Sequence, residues 1–156
     1  MGSSNTAAAT LDERANHCFG CGAENPRGLQ LVFTVANEEQ PVATASVRLN
    51  EFYEGPPGYV HGGIIATLLD EAMSKLNRPL NILAVTRHME VDYLHPVPLE
   101  KDLTLTGRHL RREGRKLFHQ AEISLPNGTV LARGTAIFIE MDRALLNRIG
   151  MKQPEA

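Results

Sequence analysis

The segment 63–77 limits the fold of this chain more than any other. It reads as a helix and carries Ile64, Ile65, Leu68, Leu69, Ala72, Met73 and Leu76. Apolar residues spread over so broad a surface do not lie on one outer stripe of a domain. Such a helix has to be wrapped or covered. Its small residues, Ala66, Ala72 and Ser74, let a sheet approach closely, and Arg78-Pro79 ends it.

The wrapper is legible on both sides. Residues 29–35 and 42–49 read as strands separated by a turn at Asn37-Glu38-Glu39-Gln40. After the helix come strands over 84–94, 102–110, 116–125 and 130–139. A polar hairpin surrounds Gly114, and Asn127-Gly128 is a strong hairpin signal. The loop before the helix holds Gly55-Pro56-Pro57-Gly58, which forbids helix and discourages strand. No internal repeat or linker breaks the pattern. The expectation is an α+β fold: an antiparallel β-sheet of about five to six strands wrapped around one long central helix. Val85, Arg87, Met89, Val91 and Tyr93 make too mixed a set for a dry face, which suits a wet dimer groove. Residues 1–14 are expected to be a disordered start, 15–141 a single domain, and 142–156 a tail or short helix.

Composition excludes several classes. The 16 Lys and Arg against 18 Asp and Glu leave a net charge of -2, so nothing favours a nucleic-acid partner. No apolar run approaches the roughly 20 residues of a membrane span. The first ten residues are rich in Ser, Thr and Ala without an apolar core, which is not a secretory signal, and a cytoplasmic location is expected. Cys18 and Cys21 form one CxxC pair beside His17. Three donors fall short of the four that a structural zinc site needs, so no metal is expected. A redox pair should follow a strand and open a helix, yet Asn25-Pro26-Arg27-Gly28 reads as a turn. The preferred reading is a structural loop, with redox and metal roles left open.

Chemistry concentrates at the two ends of the helix's first two turns. Val60-His61-Gly62-Gly63 opens it, and a helix N-terminus offers unpaired N–H groups and a positive dipole end. Asp70 lies seven residues after Gly63, nearly two full turns, so the Gly63 amide and the Asp70 carboxylate share one face about 10 Å apart. The amide can stabilise an oxyanion; the carboxylate can act as base or nucleophile. His61 can orient the loop, donate to a carbonyl, or cap the helix. Glu71 points 100° away from Asp70 and is expected to meet Lys75 at i,i+4 on an exposed strip. Thr86 is a candidate to position water or the carboxylate. His88 and Asp92 are expected on the same strand face as Thr86, as interface or solvent groups. Arg111, Arg112, Arg115 and Lys116 cluster on a hairpin, either as a solvated turn or as an attractor of phosphates.

Three blocks together resemble a known family: His17-Cys18-Phe19-Gly20-Cys21-Gly22 with Asn25-Pro26 and Gly28-Leu29; Gly55-Pro56-Pro57 and Val60-His61-Gly62-Gly63 through Asp70; and Val85-Thr86 through Val91-Asp92-Tyr93 to His95-Pro96-Val97-Pro98. The chain is similar to the hotdog-fold thioesterases, in particular the phenylacetate-pathway and human mitochondrial group, over residues 15 to 141. The resemblance implies acyl-CoA hydrolysis without a metal or other cofactor, CoA entering only as part of the substrate. It implies a homodimer with its sheets side by side, commonly paired again as a dimer of dimers. By motif, the Gly63 amide polarises the thioester carbonyl, with Gly62 beside it in the ligand-facing loop. Asp70 comes from across the interface, and Thr86 matches a strand hydroxyl of related enzymes. Some relatives carry asparagine six residues before the motif histidine, where this chain has Gly55. Two alternatives stand beside hydrolysis: a non-catalytic acyl-CoA or small-ligand binder on the same scaffold, and a hotdog dehydratase or hydratase. The last is disfavoured because the helix carries no histidine after His61.

Overall fold

The computed structural model describes residues 16–36 and 39–149. The expected disordered start lies outside the described residues, as do residues 150–156 of the expected tail. Six strands follow in chain order: β1 (Thr34–Ala36), β2 (Val42–Val47), β3 (Ala84–Tyr93), β4 (Leu103–Glu113), β5 (Lys116–Ser124) and β6 (Val130–Glu140). Helix α1 (Gly62–Ser74) comes between β2 and β3, and a short helix α2 (Arg143–Arg148) follows β6. The strands form one sheet in the order β1-β2-β4-β5-β6-β3, every neighbouring pair antiparallel. No helix among the described residues is long and apolar enough to cross a membrane.

The chain divides into two compact units. The larger, residues 31–140, holds the sheet and α1; the smaller combines the residues up to Gln30 with those from Met141 onward. In the smaller unit the cysteine loop is closed by bonds from Gly22 N to Cys18 O (2.8 Å), Glu24 N to Asn16 O (3.1 Å) and Leu29 N to Phe19 O (2.8 Å). β1 is shorter than the expected 29–35. Gln30 takes a φ of 49°, and its side-chain amide donates to the carbonyls of Ala23 and Asn25, both at 3.2 Å. These bonds commit the chain before Leu31 to turns instead of to the sheet.

In the larger unit α1 lies on one face of the sheet. Leu68, Leu69, Ala72, Met73 and Leu76 bury against Leu103 and Leu105 of β4, Leu117 and Ile123 of β5, and Phe138 of β6. Each such large side chain contributes about 1.5–3 kcal/mol on burial. This layer holds the helix, because a segment of 13 residues opening on two glycines is marginal alone. The closest approach is at Gly107, where a Cβ would stand 2.4 Å from the Ala72 carbonyl oxygen, backbone against backbone. Regular α-helix stops at Ser74, three residues before the expected end. Leu76 N and Asn77 N bond to Met73 O and Ser74 O, the tighter i→i+3 pattern that closes a helix before Pro79.

Candidate active site

Helix α1 carries two adjacent carboxylates in different surroundings. Asp70 turns toward β3, where Thr86 Oγ1 donates to Asp70 Oδ1 at 2.6 Å. Glu71, 100° further round the helix, accepts from Lys75 Nζ at 3.1 Å. The i,i+4 pair is present as expected, but Glu71 is only 8% exposed, so the strip is not an exposed one. The reason is enclosure: Glu71, Ala72 and Met73 are buried in succession and point in three directions around the axis.

Asp70, Thr86 and Thr67 supply the polar side chains of a shallow cleft of about 270 Å³, completed by Ala66 and Met89. The Thr67 hydroxyl is engaged by its own helix, donating to Gly63 O at 2.9 Å. Burial raises the Asp70 pKa above 3.8; the Thr86 hydrogen bond opposes that shift, and the Glu71 charge adds to it. A larger cleft of about 330 Å³, lined by His88, Glu90, Arg111, Phe118 and Ile137 among others, does not include Asp70.

The expectation that His88 and Asp92 share a face with Thr86 is corrected by a β-bulge. Thr86 pairs with Phe138 and His88 with Ile137, leaving Arg87 as an extra residue in β3. The bulge shifts the alternation by one. Thr86 and Met89 therefore line the helix-side cleft, whereas His88 and Glu90 line the other and meet each other at 3.3 Å.

At the helix N-terminus the arrangement also differs from the sequence reading. His61 is the N-cap, and its Nδ1 accepts from the Gly63 N–H at 2.9 Å. That bond assigns the His61 proton to Nε2, and it occupies the amide expected to be open. The Gly62 N–H makes no bond to another described residue. Its own peptide carbonyl, His61 O, accepts from both Ile64 N and Ile65 N at 3.0 Å, which strengthens the opposite end as a donor. The preceding loop packs tightly here. A Cβ on Gly55 would stand 2.8 Å from His61 Cα, so the position where some relatives carry asparagine has no room for a side chain.

The basic hairpin does not present four unpaired cations. Arg111 Nε bonds Glu113 Oε1 (2.8 Å), and its guanidinium lies 3.7 Å over the Phe118 ring. Arg112 bonds Glu140 Oε2 and Gly114 O, both at 2.8 Å, and Arg115 donates to Glu140 O at 2.7 Å. The hairpin is nevertheless level with the carboxylate. Thr86, Phe138, Leu117 and Arg112 are partners across β3, β6, β5 and β4, three strand spacings or about 14 Å.

Two features escaped the sequence reading. The Tyr93 hydroxyl donates to Gly62 O at 3.0 Å; Tyr93 belongs to a motif block, yet nothing in the sequence aims it at the helix. His119 is fully buried, with Nε2 2.8 Å from Asn77 Oδ1 and Nδ1 3.2 Å from His109 Nδ1. Its position in the alternation Leu117, His119, Ala121, Ile123 was the available signal. Burial lowers the His119 pKa to about 4, with His109 adding to the shift and the Phe118 backbone opposing it.

One helix against a six-stranded antiparallel sheet, with a carboxylate in the helix and Gly-Gly at its start, defines a class. The family model of the thioesterase superfamily matches residues 57–132, which contain the Gly-Gly start, the helix with its carboxylate and strands β3 to β5. Over those residues, just under half of the chain, it is similar to that superfamily, and its architecture is the hotdog fold. Among curated proteins it is similar to acyl-coenzyme A thioesterase THEM4 of Xenopus laevis, 34% identical over 91 residues covering 58% of this chain and 41% of that protein. THEM4 of Bos taurus is 27% identical over 125 residues, 80% of this chain and 51% of that one. The chain thus spans about half or less of these relatives' length. Among solved structures, a thioesterase superfamily protein superimposes with a TM-score of 0.74 at 31% identity, covering 80% of this chain and 63% of that one.

Proposed function

We propose that this chain hydrolyses acyl-CoA thioesters to a free carboxylic acid and CoA, as a homodimer. The observation that carries the reading is the half-buried Asp70 carboxylate held by Thr86 in a cleft on the same helix as the Gly-Gly start. The similarity to proteins named acyl-CoA thioesterases supports the substrate class. With Asp70 as base, it takes a proton from water that adds to the thioester carbon; with Asp70 as nucleophile, it attacks that carbon and water then hydrolyses the acyl anhydride to the acid and free Asp70; in both, the C–S bond breaks and CoA leaves as a good thiolate leaving group. That chemistry needs an oxyanion donor and a carboxylate, with no strong acid at the leaving group. No cofactor is invoked. Activity that persists after exhaustive chelation agrees with this; loss on chelation with recovery on adding zinc overturns it.

The donor in this reading is a helix N-terminal amide. The Gly62 N–H is preferred to that of Gly63, whose bond to His61 would first have to open. Gly62 and Asp70 are eight residues apart on one helix, about 12 Å along its axis. A base has to come within about 3 Å of the reacting group. A second copy that brings its Asp70 to this amide lets the two serve one thioester without spanning that length. β3 supports the same assembly. It is a ten-residue edge strand paired on one side only among the described residues, with Val85 and Tyr93 exposed. A further pairing into a dimer of dimers is compatible. The hairpin of Arg111, Arg112, Arg115 and Lys116 is assigned to the phosphate end of CoA.

Thiol release from a panel of acyl-CoAs of varied chain length and aromaticity tests the proposal. Steady turnover of at least one member is expected. Binding without turnover would transfer the site to the ligand-binder reading, and an enoyl product would make it a hydratase.

A further inference from the structure

We infer that Tyr93 is a positioning residue for this reaction, fixing the helix N-terminal peptides that face the thioester carbonyl; the inference rests on the thioesterase reading above. Two successive glycines give the start of α1 the softest backbone available, and a donor that wanders stabilises an oxyanion poorly. The peptide unit between Gly62 and Gly63 is held at both ends. Its carbonyl accepts from the Tyr93 hydroxyl at 3.0 Å, and its N–H donates to His61 Nδ1 at 2.9 Å. Hydrogen bonds at opposite ends of one peptide polarise each other. Fixing that plane restrains Gly62 ψ, one of the two torsions that link it to the neighbouring Gly62 N–H.

The Tyr93 ring adds a wall. An ideal Cβ on Gly62 would stand 3.7 Å from Tyr93 Cε1 and 3.8 Å from the hydroxyl oxygen, ordinary contact on the flank of the amide. Tyr93 lies at the end of β3, the strand that also carries Thr86. One strand thus holds Asp70 through Thr86 and the helix start through Tyr93. The Tyr93 hydroxyl, on a half-exposed side chain that water could satisfy, is instead committed to the carbonyl of the peptide that joins the two glycines.

The test is Tyr93→Phe, with 3-fluorotyrosine at the same position as the conservative replacement that keeps the donor. The substrate is the acyl-CoA that the wild type turns over best. The probe is its dethia ketone analogue, whose carbonyl stretch reports hydrogen bonding to that oxygen. Misplacement of a reacting group by about 1 Å costs up to about 100-fold. Tyr93→Phe, which loosens the donor without removing it, is expected to lower kcat about 10-fold. KM should stay within about two-fold, since the ground state binds elsewhere. The bound ketone stretch should move back toward its value in water, and 3-fluorotyrosine should restore both. A purely structural role would move Tm without moving the carbonyl stretch. Unchanged kcat and stretch in a folded Tyr93→Phe dimer overturn the inference. If that variant does not fold, the fluorotyrosine protein decides: a stretch that follows donor strength supports the role, and one that ignores it overturns it. A wild type that binds the ketone without hydrolysing any thioester would sink the thioesterase reading alone, and the stretch would still decide Tyr93. A wild type that does neither would sink both.

Discussion

At the scale of single residues, the helix sets a carboxylate in a place that disfavours its charge. Asp70→Asn should lower the hydrolytic rate constant by about 10²–10⁴-fold, the usual worth of a general base, while acyl-CoA binding changes little. Glu71→Gln is the control and should cost little turnover; a dead Glu71 variant beside a fully active Asp70 variant would show that the wrong carboxylate has been chosen. Because burial raises the Asp70 pKa, activity should rise with pH through a limb above the ordinary 3.8. The same shift has a sign for stability. Above the raised pKa the folded protein carries a charge that the unfolded chain carries more easily, so the Asn variant should be the more stable at neutral pH. The difference should close as pH falls and both carboxyls protonate. At Gly62 a sharper probe exists. Gly62 is the first residue of the helix, and His61 before it is extended at φ -59° and ψ 137°. Proline fits both positions. Gly62→Pro should therefore fold, lack only the N–H, and lose about 10²–10³-fold in kcat. Full activity in a folded Gly62→Pro would move the oxyanion to another donor.

At the scale of elements, the six strands and the long helix were readable because each announces itself locally: period-two alternation, Asn-Gly, a proline stop. The bulges were not. An extra residue at Arg87 leaves no mark in the sequence, since it is defined by what stands across the ladder, and it reversed the faces assigned to His88 and Asp92. At the site, Asp70 was legible from rotation arithmetic and Thr86 from its place in a motif block. The fate of the Gly63 amide was not, because a side-chain rotamer of His61 decides it. The buried face of β5 carries a further consequence. His119 titrates near 4 instead of 6.5, so between those values the unfolded chain takes up a proton that the folded one refuses. His109, lowered by burial as well, acts in the same direction. Stability should fall as pH drops from 6.5 toward 4, and His119→Gln should flatten that fall in Tm measured across the window. Parallel curves for the two proteins would assign acid sensitivity elsewhere.

At the scale of the whole molecule, the proposed dimer draws on the edge strand β3 and on the axial rise of about 12 Å between Gly62 and Asp70. Light scattering at micromolar concentration should find at least a dimer; a fully active monomer would contradict the shared site. A stronger consequence follows from the stiffness of α1, which cannot bend its own Asp70 back to its own N-terminus. The two halves of each centre then behave as separable genetic functions. Asp70→Asn and Gly62→Pro, each at about 1% of wild-type turnover or less as a pure protein, should complement when unfolded together and refolded as a mixture. A hybrid pair unites both lesions in one centre and leaves the other intact, so random mixing should return about a quarter of wild-type turnover. Two crippled preparations would recover function with no change in either sequence.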